Sequence, residues 1–299
     1  AMTEFLRNQL KIYFIENKAE AEKIAEQVLI NKRSRERSEK ERINLKKTLA
    51  TGNSMADRVQ KFVDCRSKDV NERELYIVEG DSALGSCKLA RDAAFQAIMP
   101  VRGKILNCLK AEYDKIFKSE IITDLLKVLG CGVEVKSKAN KNLSNFDMAN
   151  LRWNKIIICT DADVDGFHIR TLILTMIYRL MPTLISEGKV FIAETPLYEI
   201  TTKVKTYFAY DENEKIDILN EIGDEKYTLQ RSKGLGENQP DMMNLTTMNP
   251  ETRRLIKILP EDAEHTSEMF DLLLGDNLQG RKDYISEYGY LYMEDADIS

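Results

Sequence analysis

The sequence predicts an α/β fold with a parallel central sheet, preceded by a long helical segment and followed by a mixed α+β region. The apolar runs 74–78 and 155–160 indicate two buried strands, and the run 189–193 indicates a third. Between the second and third strands, residues 169–184 repeat apolar side chains at helical spacing on one face. Strand, helix and strand in that order form a βαβ unit, whose two strands run parallel.

The first segment, residues 5–49, contains neither Pro nor Gly and is rich in Glu, Lys, Arg, Ala and Leu, which favours one or two long helices. Its second half is basic. Those cations could contact phosphates, but the interleaved Glu36, Glu39 and Glu41 favour a solvated helix face. The basic residues are Lys32, Arg33, Arg35, Arg37, Lys40, Arg42, Lys46 and Lys47.

The rest of the chain completes a predicted three-part organisation. A helical region with a linker covers 1–72, the α/β domain covers 73–195 and a mixed tail region covers 196–299. Within the tail, Asn249-Pro250 is typical of a helix start, with an N-cap followed by Pro at the first helical position. The other elements expected there are an extended segment at 205–210 and helices at 214–222, 261–274 and 281–290.

Composition narrows the class of protein. The net charge is −5, so any DNA-binding surface must be a local basic patch. No apolar run approaches the roughly 18 residues that a membrane helix requires, and no secretory signal is visible. The Ala1-Met2 start is typical of a cloning remnant. The five cysteines are odd in number and contain no C-x-x-C pair, which argues against disulfides and zinc and predicts a cytoplasmic protein.

Acidic residues follow two of the predicted strands. The first strand runs into Glu79-Gly80-Asp81-Ser82-Ala83 and the second into Asp161-Ala162-Asp163-Val164-Asp165-Gly166. Parallel sheets bind ligands beyond the carboxyl ends of their strands, so these acids are expected to share a site. In an extended segment Asp161, Asp163 and Asp165 would project to one side. Because close carboxylates repel unless a cation intervenes, the pattern predicts Mg²⁺, with Mn²⁺ or Ca²⁺ as substitutes.

Three other interpretations of these acids are weaker. The Asp161 to Gly166 stretch matches the first half of an EF-hand loop, but Leu172 stands where a bidentate Glu is required. Gly80 to Gly85 has the spacing of a P-loop, but Ser86 stands where the Lys must be. A solvated acidic turn would explain one such motif better than it explains two strand ends together.

These residues resemble the two signatures of the Toprim fold, Glu79 in Glu-Gly-Asp-Ser-Ala and the Asp161, Asp163, Asp165 triplet. From about 64 to 285 the sequence is similar, in order, to the B subunits of type IIA DNA topoisomerases, DNA gyrase and topoisomerase IV. The N-terminal helices resemble the end of the transducer region that precedes Toprim in that family. The motifs that carry the resemblance are 96–107, 160–170, 195–198, 233–237 and 246–254.

The resemblance implies a Mg²⁺-dependent module that cleaves and religates double-stranded DNA. In the family an A subunit supplies the tyrosine nucleophile, within a heterotetramer. By motif position, Glu79 would be a metal ligand and the general acid or base toward the 3′ oxygen, and Asp161 would bridge two metal positions. Asp163 would hold the second position, supported by Asp165. The ATPase part that precedes Toprim in the family is absent from this sequence, so the chain alone is expected to be inactive and unable to hydrolyse ATP.

The resemblance also assigns contacts with DNA. Lys104 and Asn107 match family positions near the cut, with Arg102 adding positive charge; a plain surface loop is the alternative. Lys233 opens a Lys-Gly-Leu-Gly-Glu motif that fits equally a simple turn and an element that positions DNA or the metal loop. Two other classes of function stay open on the acidic residues alone: another Toprim enzyme, such as a primase or nuclease, and a DNA-binding module without catalysis.

Overall fold

The structure is a computed structural model, and it describes residues 2–23, 59–135, 145–231, 234–260 and 263–293. The chain divides into two units, residues 1–54 and residues 55–299. In the first unit, helix α1 spans Met2–Glu16 and residues 18–23 are also helical, as predicted. The basic stretch 32–47 lies outside the described residues.

The second unit contains both strands and helices. Its strands are β1 (Glu74–Glu79), β2 (Gln96–Val101), β3 (Lys155–Cys159), β4 (Val190–Glu194), β5 (Tyr198–Thr202), β6 (Thr206–Ala209), β7 (Tyr227–Arg231) and β8 (Arg254–Lys257). Its helices are α2 (Gly80–Ala90), α3 (Tyr113–Ile116), α4 (Glu120–Leu129), α5 (Val164–Leu180), α6 (Thr183–Ser186), α7 (Glu212–Ile222), α8 (Pro240–Met243), α9 (Ala263–Leu274) and α10 (Leu278–Tyr288). A π-helical turn at Asn244–Met248 follows α8.

The central sheet has the strand order β2-β1-β3-β4-β8, in which the first four strands are parallel and β8 is antiparallel to β4. The predicted α/β fold with a parallel sheet is therefore confirmed. Both β1 and β3 are buried along nearly their whole length, which explains their uninterrupted apolar runs. Strand β2, which contains Pro100, was not predicted from the sequence. An edge strand tolerates proline because one side of it needs no ladder hydrogen bonds.

Two apolar layers cover the sheet. The larger one contains the buried faces of α4 and α5 and centres on Trp153, whose indole N–H donates to the carbonyl of Val128 at 2.8 Å. The smaller one packs α2 and residues of the tail region against the other face, around Tyr76 and Ile157. The tail therefore contributes directly to the core beneath the carboxyl ends of β1 and β3.

Helix α5 begins earlier than the apolar pattern predicted, at Val164 rather than at 169. The side chain of Asp163 caps it by accepting a hydrogen bond from the backbone N–H of Gly166 at 2.8 Å. Gly166 is required there, because a Cβ would lie 2.1 Å from the carbonyl oxygen of Asp161. This contact fixes the turn between β3 and α5.

The tail region forms a second, three-stranded sheet with the order β6-β5-β7, and the predicted helix at 214–222 is present as α7. The expectation of a helix after Asn249-Pro250 is wrong. Those residues form a turn that leads into β8, because pairing with β4 overrides the local cap signal. Within the described part of the chain, every helix is too short or too polar to cross a bilayer.

A buried ion pair joins the tail to the amino end of β1. Arg253 donates to Oε1 of Glu74 at 2.6 Å and to the hydroxyl of Tyr76 at 2.8 Å. Lys155 and Gln96 also contact the Glu74 carboxylate, at 2.9 and 3.1 Å. Although burial raises the pKa of Glu74, these partners outweigh it and hold the pKa below its usual value. The network fixes the tail against the sheet at the end opposite the acidic motifs.

Candidate functional site

The candidate site lies at the carboxyl ends of β1 and β3, where the two acidic motifs follow the strands. The two strands are adjacent and parallel, with Val78 opposite Cys159, so the next residues of each strand emerge side by side. The backbone N–H of Asp161 lies 3.4 Å from Oε2 of Glu79. Residues 82 positions apart in sequence therefore meet at one edge of the sheet.

Glu79 and Asp161 both have raised pKa values, as acids held close together do. Burial raises the pKa of Glu79, and the negative charges of Asp161, Asp163 and Asp165 raise it further. Burial also raises the pKa of Asp161, with added repulsion from Asp163 and Glu237, while the hydrogen bond from Leu235 opposes the rise. Both carboxylates would be relieved by a cation placed between them.

The three aspartates do not share one extended segment, contrary to the sequence-based expectation. Asp163 has extended backbone but turns its carboxylate to the N-cap bond of α5. Asp165 lies in the first turn of α5, where its carboxylate is 2.6 Å from the ammonium of Lys104. That contact lowers the pKa of Asp165. The helix begins between these residues because the Asp163 cap competes successfully with continued strand geometry.

Basic side chains border the site from the carboxyl end of β2. Arg102 lies 3.2 Å from the carboxylate of Asp81, which also pairs with Lys61. Lys104 pairs with Asp165 as described, and its side chain is 47% exposed. The structure thus brings Arg102 and Lys104 to the same edge of the sheet as Glu79 and Asp161, each paired with an acid.

The other two residues predicted to contact DNA are Asn107 and Lys233. Asn107 donates to the carbonyl of Leu274 at 3.1 Å and accepts from the backbone N–H of Leu109 at 3.0 Å, so both ends of its amide have partners within the chain. Its predicted DNA contact stays a prediction. Lys233 lies outside the described residues.

Residues of the Lys-Gly-Leu-Gly-Glu motif reach the site in a way that sequence reasoning did not resolve. The backbone N–H of Leu235 donates to Oδ1 of Asp161 at 2.8 Å. Glu237 is close enough for its charge to raise the pKa of Asp161. The motif itself was the only available signal, because a backbone donor can be contributed by any residue except proline.

A divalent cation fits the donor set at this edge. Among the described residues no three His, Cys, Asp or Glu side chains are grouped closely enough to form a complete metal cage. Magnesium, however, usually takes only one or two protein carboxylates and fills its other positions with water and phosphate oxygens. The hydroxyl of Thr160, next to Asp161, is buried without a hydrogen-bond partner. Gly234 keeps the space beside Asp161 open, since a Cβ there would lie 2.9 Å from Oδ2.

Two family models match the chain in succession. Residues 74–195 match the model described as the Toprim domain. Residues 224–286 match the model described as the DNA gyrase B subunit, carboxyl terminus. The first match covers the sheet and both acidic motifs, and the second covers the part of the tail that includes the 234–237 segment and β8.

Curated relatives extend the similarity over most of the chain. The DNA gyrase B subunit of Clostridium acetobutylicum is 45% identical over 285 residues, which cover 94% of this chain and 43% of that protein. The Thermotoga maritima protein of the same name is 38% identical over 298 residues, covering 100% of this chain and 45% of that protein. The Archaeoglobus fulgidus protein is 42% identical over 270 residues, covering 90% and 40% respectively.

The chain spans less than half of the length of these relatives. Within that span, the order of the two matched domains and the acidic strand ends agree with the resemblance seen in the sequence. The chain therefore consists, in its matched part, of a Toprim domain followed by a domain of the family described as DNA gyrase B subunit, carboxyl terminus, and over most of its length it is similar to DNA gyrase B subunits.

Proposed function

We propose that this chain is the Mg²⁺-dependent module that cleaves and religates DNA strands in a type IIA topoisomerase. The observation that carries the proposal is the meeting of Glu79 and Asp161, two partly buried carboxyl groups with raised pKa values, at the ends of adjacent parallel strands. Neither group has a cationic side chain as its hydrogen-bond partner among the described residues. A divalent cation and a DNA phosphate would supply the missing positive charge and the reacting group.

In the proposed reaction a tyrosine of an A-type partner releases its hydroxyl proton to water, and the tyrosine oxygen attacks a DNA phosphorus. The bond from phosphorus to the 3′ oxygen breaks, and the 3′ oxygen leaves with its electron pair. Glu79 is proposed to donate a proton to that oxygen and to take it back during religation; burial and the neighbouring acids, which raise its pKa, favour this role. Bound Mg²⁺ would stabilise the negative charge that develops on the leaving oxygen.

The other acidic and basic residues are proposed to hold the cation or to contact the DNA. Asp161 is the second proposed metal ligand, and Asp163, which caps α5, contributes negative charge beside it. Asp165 is proposed to act through Lys104 rather than on the cation directly, because the two side chains pair at 2.6 Å. Arg102 and Lys104 are proposed to contact DNA phosphates after their ion pairs with Asp81 and Asp165 break. Lys233 and Asn107 remain proposed DNA contacts on motif position alone.

The proposed partners follow from the chemistry. Double-stranded DNA is the substrate, and an A-type subunit supplies the nucleophile within a heterotetramer. The phosphotyrosine link preserves the bond energy, so cleavage and religation need no nucleotide. ATP hydrolysis, which would drive strand passage in the parent enzyme, is not proposed for these residues. All five cysteines are free and buried, which fits a reducing cytoplasm.

Reconstituted cleavage tests the proposal. The chain is mixed with an A-type subunit and supercoiled plasmid, with Mg²⁺ or with chelator, and covalent protein–DNA complexes are counted after denaturation. We expect cleavage only when both proteins and the metal are present, and a loss of at least 100-fold with Glu79→Gln or Asp161→Ala. Nicking by the chain alone would instead indicate a nuclease of another Toprim class. Unchanged cleavage by both variants would contradict the proposed site.

A further inference from the structure

The segment 234–237, which we name the clasp loop, lies against both acidic motifs at once. On one side the backbone N–H of Leu235 donates to Oδ1 of Asp161 at 2.8 Å. On the other side the carbonyl of Gly236 accepts a hydrogen bond from the hydroxyl of Ser86 in α2, at 3.3 Å. The loop therefore bridges the helix that follows β1 and the acidic turn that follows β3.

The clasp loop is anchored in the core beneath the site. The Leu235 side chain is only 1% exposed, although its neighbours Gly234 and Gly236 are not buried. It packs in the apolar layer that includes Val78 and Cys159, the residues just before Glu79 and Thr160. An anchor this deep fixes the position of the Leu235 backbone, and with it the donor that faces Asp161.

Both glycines are needed for this approach. A Cβ on Gly234 would lie 2.9 Å from Oδ2 of Asp161, so any side chain there would push the carboxylate away. A Cβ on Gly236 would lie 2.5 Å from Cβ of Ser82 and 3.2 Å from its carbonyl carbon. The backbone of the loop thus approaches both motifs more closely than any residue with a side chain permits.

We propose that the clasp loop is a positioning element for Asp161: the Leu235 N–H fixes one carboxylate oxygen, and Gly234 leaves space beside the other for a divalent cation. This inference rests on the proposed function, in which Asp161 is a metal ligand. Leu235, Gly234 and Gly236 are positioning residues, because none of them needs to touch the cation or DNA. The carboxyl-terminal domain would then set the metal affinity of the Toprim domain.

A simple structural turn is the competing explanation, and the two differ in what they predict for metal affinity. If the loop only connects β7 to α8, a tolerated substitution should leave metal binding unchanged. If it positions Asp161, Gly234→Ala should weaken binding even in a fully folded protein. Gly85 in α2 provides a matched control, because a Cβ there would meet nothing within 4 Å.

The test measures Mn²⁺ binding to the 299-residue chain by electron paramagnetic resonance, with circular dichroism in chelator to confirm folding. We expect Gly234→Ala to weaken Mn²⁺ binding at least tenfold, the effect of losing one hydrogen bond to a charged group. Gly85→Ala should bind as the unsubstituted chain does. In reconstituted cleavage, Gly234→Ala should raise the Mg²⁺ concentration for half-maximal activity while largely preserving the rate at saturating Mg²⁺.

A second pair of variants keeps the test decisive if Gly234→Ala unfolds. Leu235→Ala removes most of the core anchor and should weaken Mn²⁺ binding, whereas Leu235→Met retains the anchor and should restore it. Unchanged Mn²⁺ affinity in Gly234→Ala, or in Leu235→Ala where Gly234→Ala does not fold, overturns the clasp-loop proposal alone. If Asp161→Ala also binds Mn²⁺ normally and supports cleavage, the proposed function fails as well, so the two failures are distinguishable.

Discussion

The backbone N–H of Asp161 lies 3.4 Å from Oε2 of Glu79, across the gap between the ends of two parallel strands. The neighbouring Leu235 N–H, at 2.8 Å from Asp161 Oδ1, is another neutral donor at the same place. Backbone dipoles thus partly stabilise two carboxylates that have no cationic side chain as a hydrogen-bond partner in the described residues. The arrangement leaves a residual repulsion that a divalent cation would remove.

The first prediction concerns stability without metal. Burial raises the pKa values of both Glu79 and Asp161, and the negative charges of neighbouring acids raise them further. Their contribution to stability is therefore full below their unfolded pKa of about 4 and is lost as pH rises through the folded values. In chelator at pH 7, the double variant Glu79→Gln, Asp161→Asn should melt about 2 °C above the unsubstituted chain, by circular dichroism.

The comparison across pH controls for other ionisable groups. Near pH 4 the difference in melting temperature between the two proteins should shrink, because a larger share of both carboxyl groups is then protonated and uncharged. Saturating Mg²⁺ should stabilise only the unsubstituted chain. A double variant that is less stable than the parent at pH 7 in chelator would show that the carboxylates are not in mutual repulsion.

The second prediction concerns the pair of Lys104 and Asp165, whose side chains are 47% and 68% exposed. Asp165→Asn should free Lys104 for phosphate and tighten binding of a DNA duplex a few-fold. Lys104→Ala should weaken it and reduce the slope of log affinity against log salt by about 1. Fluorescence anisotropy at several salt concentrations measures both. Equal DNA affinity in all three proteins would remove Lys104 from the proposed DNA surface.

The third prediction concerns the ion pair of Arg253 and Glu74, whose side chains are 4% and 3% exposed. Arg253→Met should destabilise the chain by about 3 kcal/mol or more, because it leaves a buried carboxylate with fewer partners. Urea unfolding measures the loss. Adding Glu74→Leu should recover at least half of it, since the buried carboxylate is then gone.

An exposed pair serves as the control for the buried one. Lys110 lies 3.5 Å from Asp276, and their side chains are 43% and 87% exposed. Lys110→Ala should therefore change the free energy of unfolding by no more than about 0.5 kcal/mol. If Arg253→Met were as mild as Lys110→Ala, the network would not hold the tail against the sheet.

Much of the fold could be read from the sequence because β1 and β3 are buried on both faces, which gives uninterrupted apolar runs such as Ile156 to Ile158. Local signals failed where tertiary pairing decides the outcome. Pro100 obscured β2, whose edge position makes the proline tolerable. Asn249-Pro250 carried a helix-start signal, but the chain turns there to pair β8 with β4.

The place where the acidic motifs meet could be predicted from the sequence, but the contacts made there could not. Two acidic strand ends located it, because parallel strands place their carboxyl ends at one edge. The sequence could not show that Asp165 pairs with Lys104, since that depends on where α5 begins. Nor could it show the Leu235 donor, because a backbone N–H leaves no mark in the residue type.

Anomalous diffraction from crystals of this chain soaked in Mn²⁺ would locate the proposed cation. We expect a manganese peak within coordination distance, about 2.0–2.2 Å, of carboxylate oxygens from Glu79, Asp161 or both, at the carboxyl ends of β1 and β3. The peak should disappear in Asp161→Ala crystals grown under the same conditions. A well-diffracting crystal with no manganese at this edge of the sheet, or with manganese bound only elsewhere, would rule out the proposed metal site.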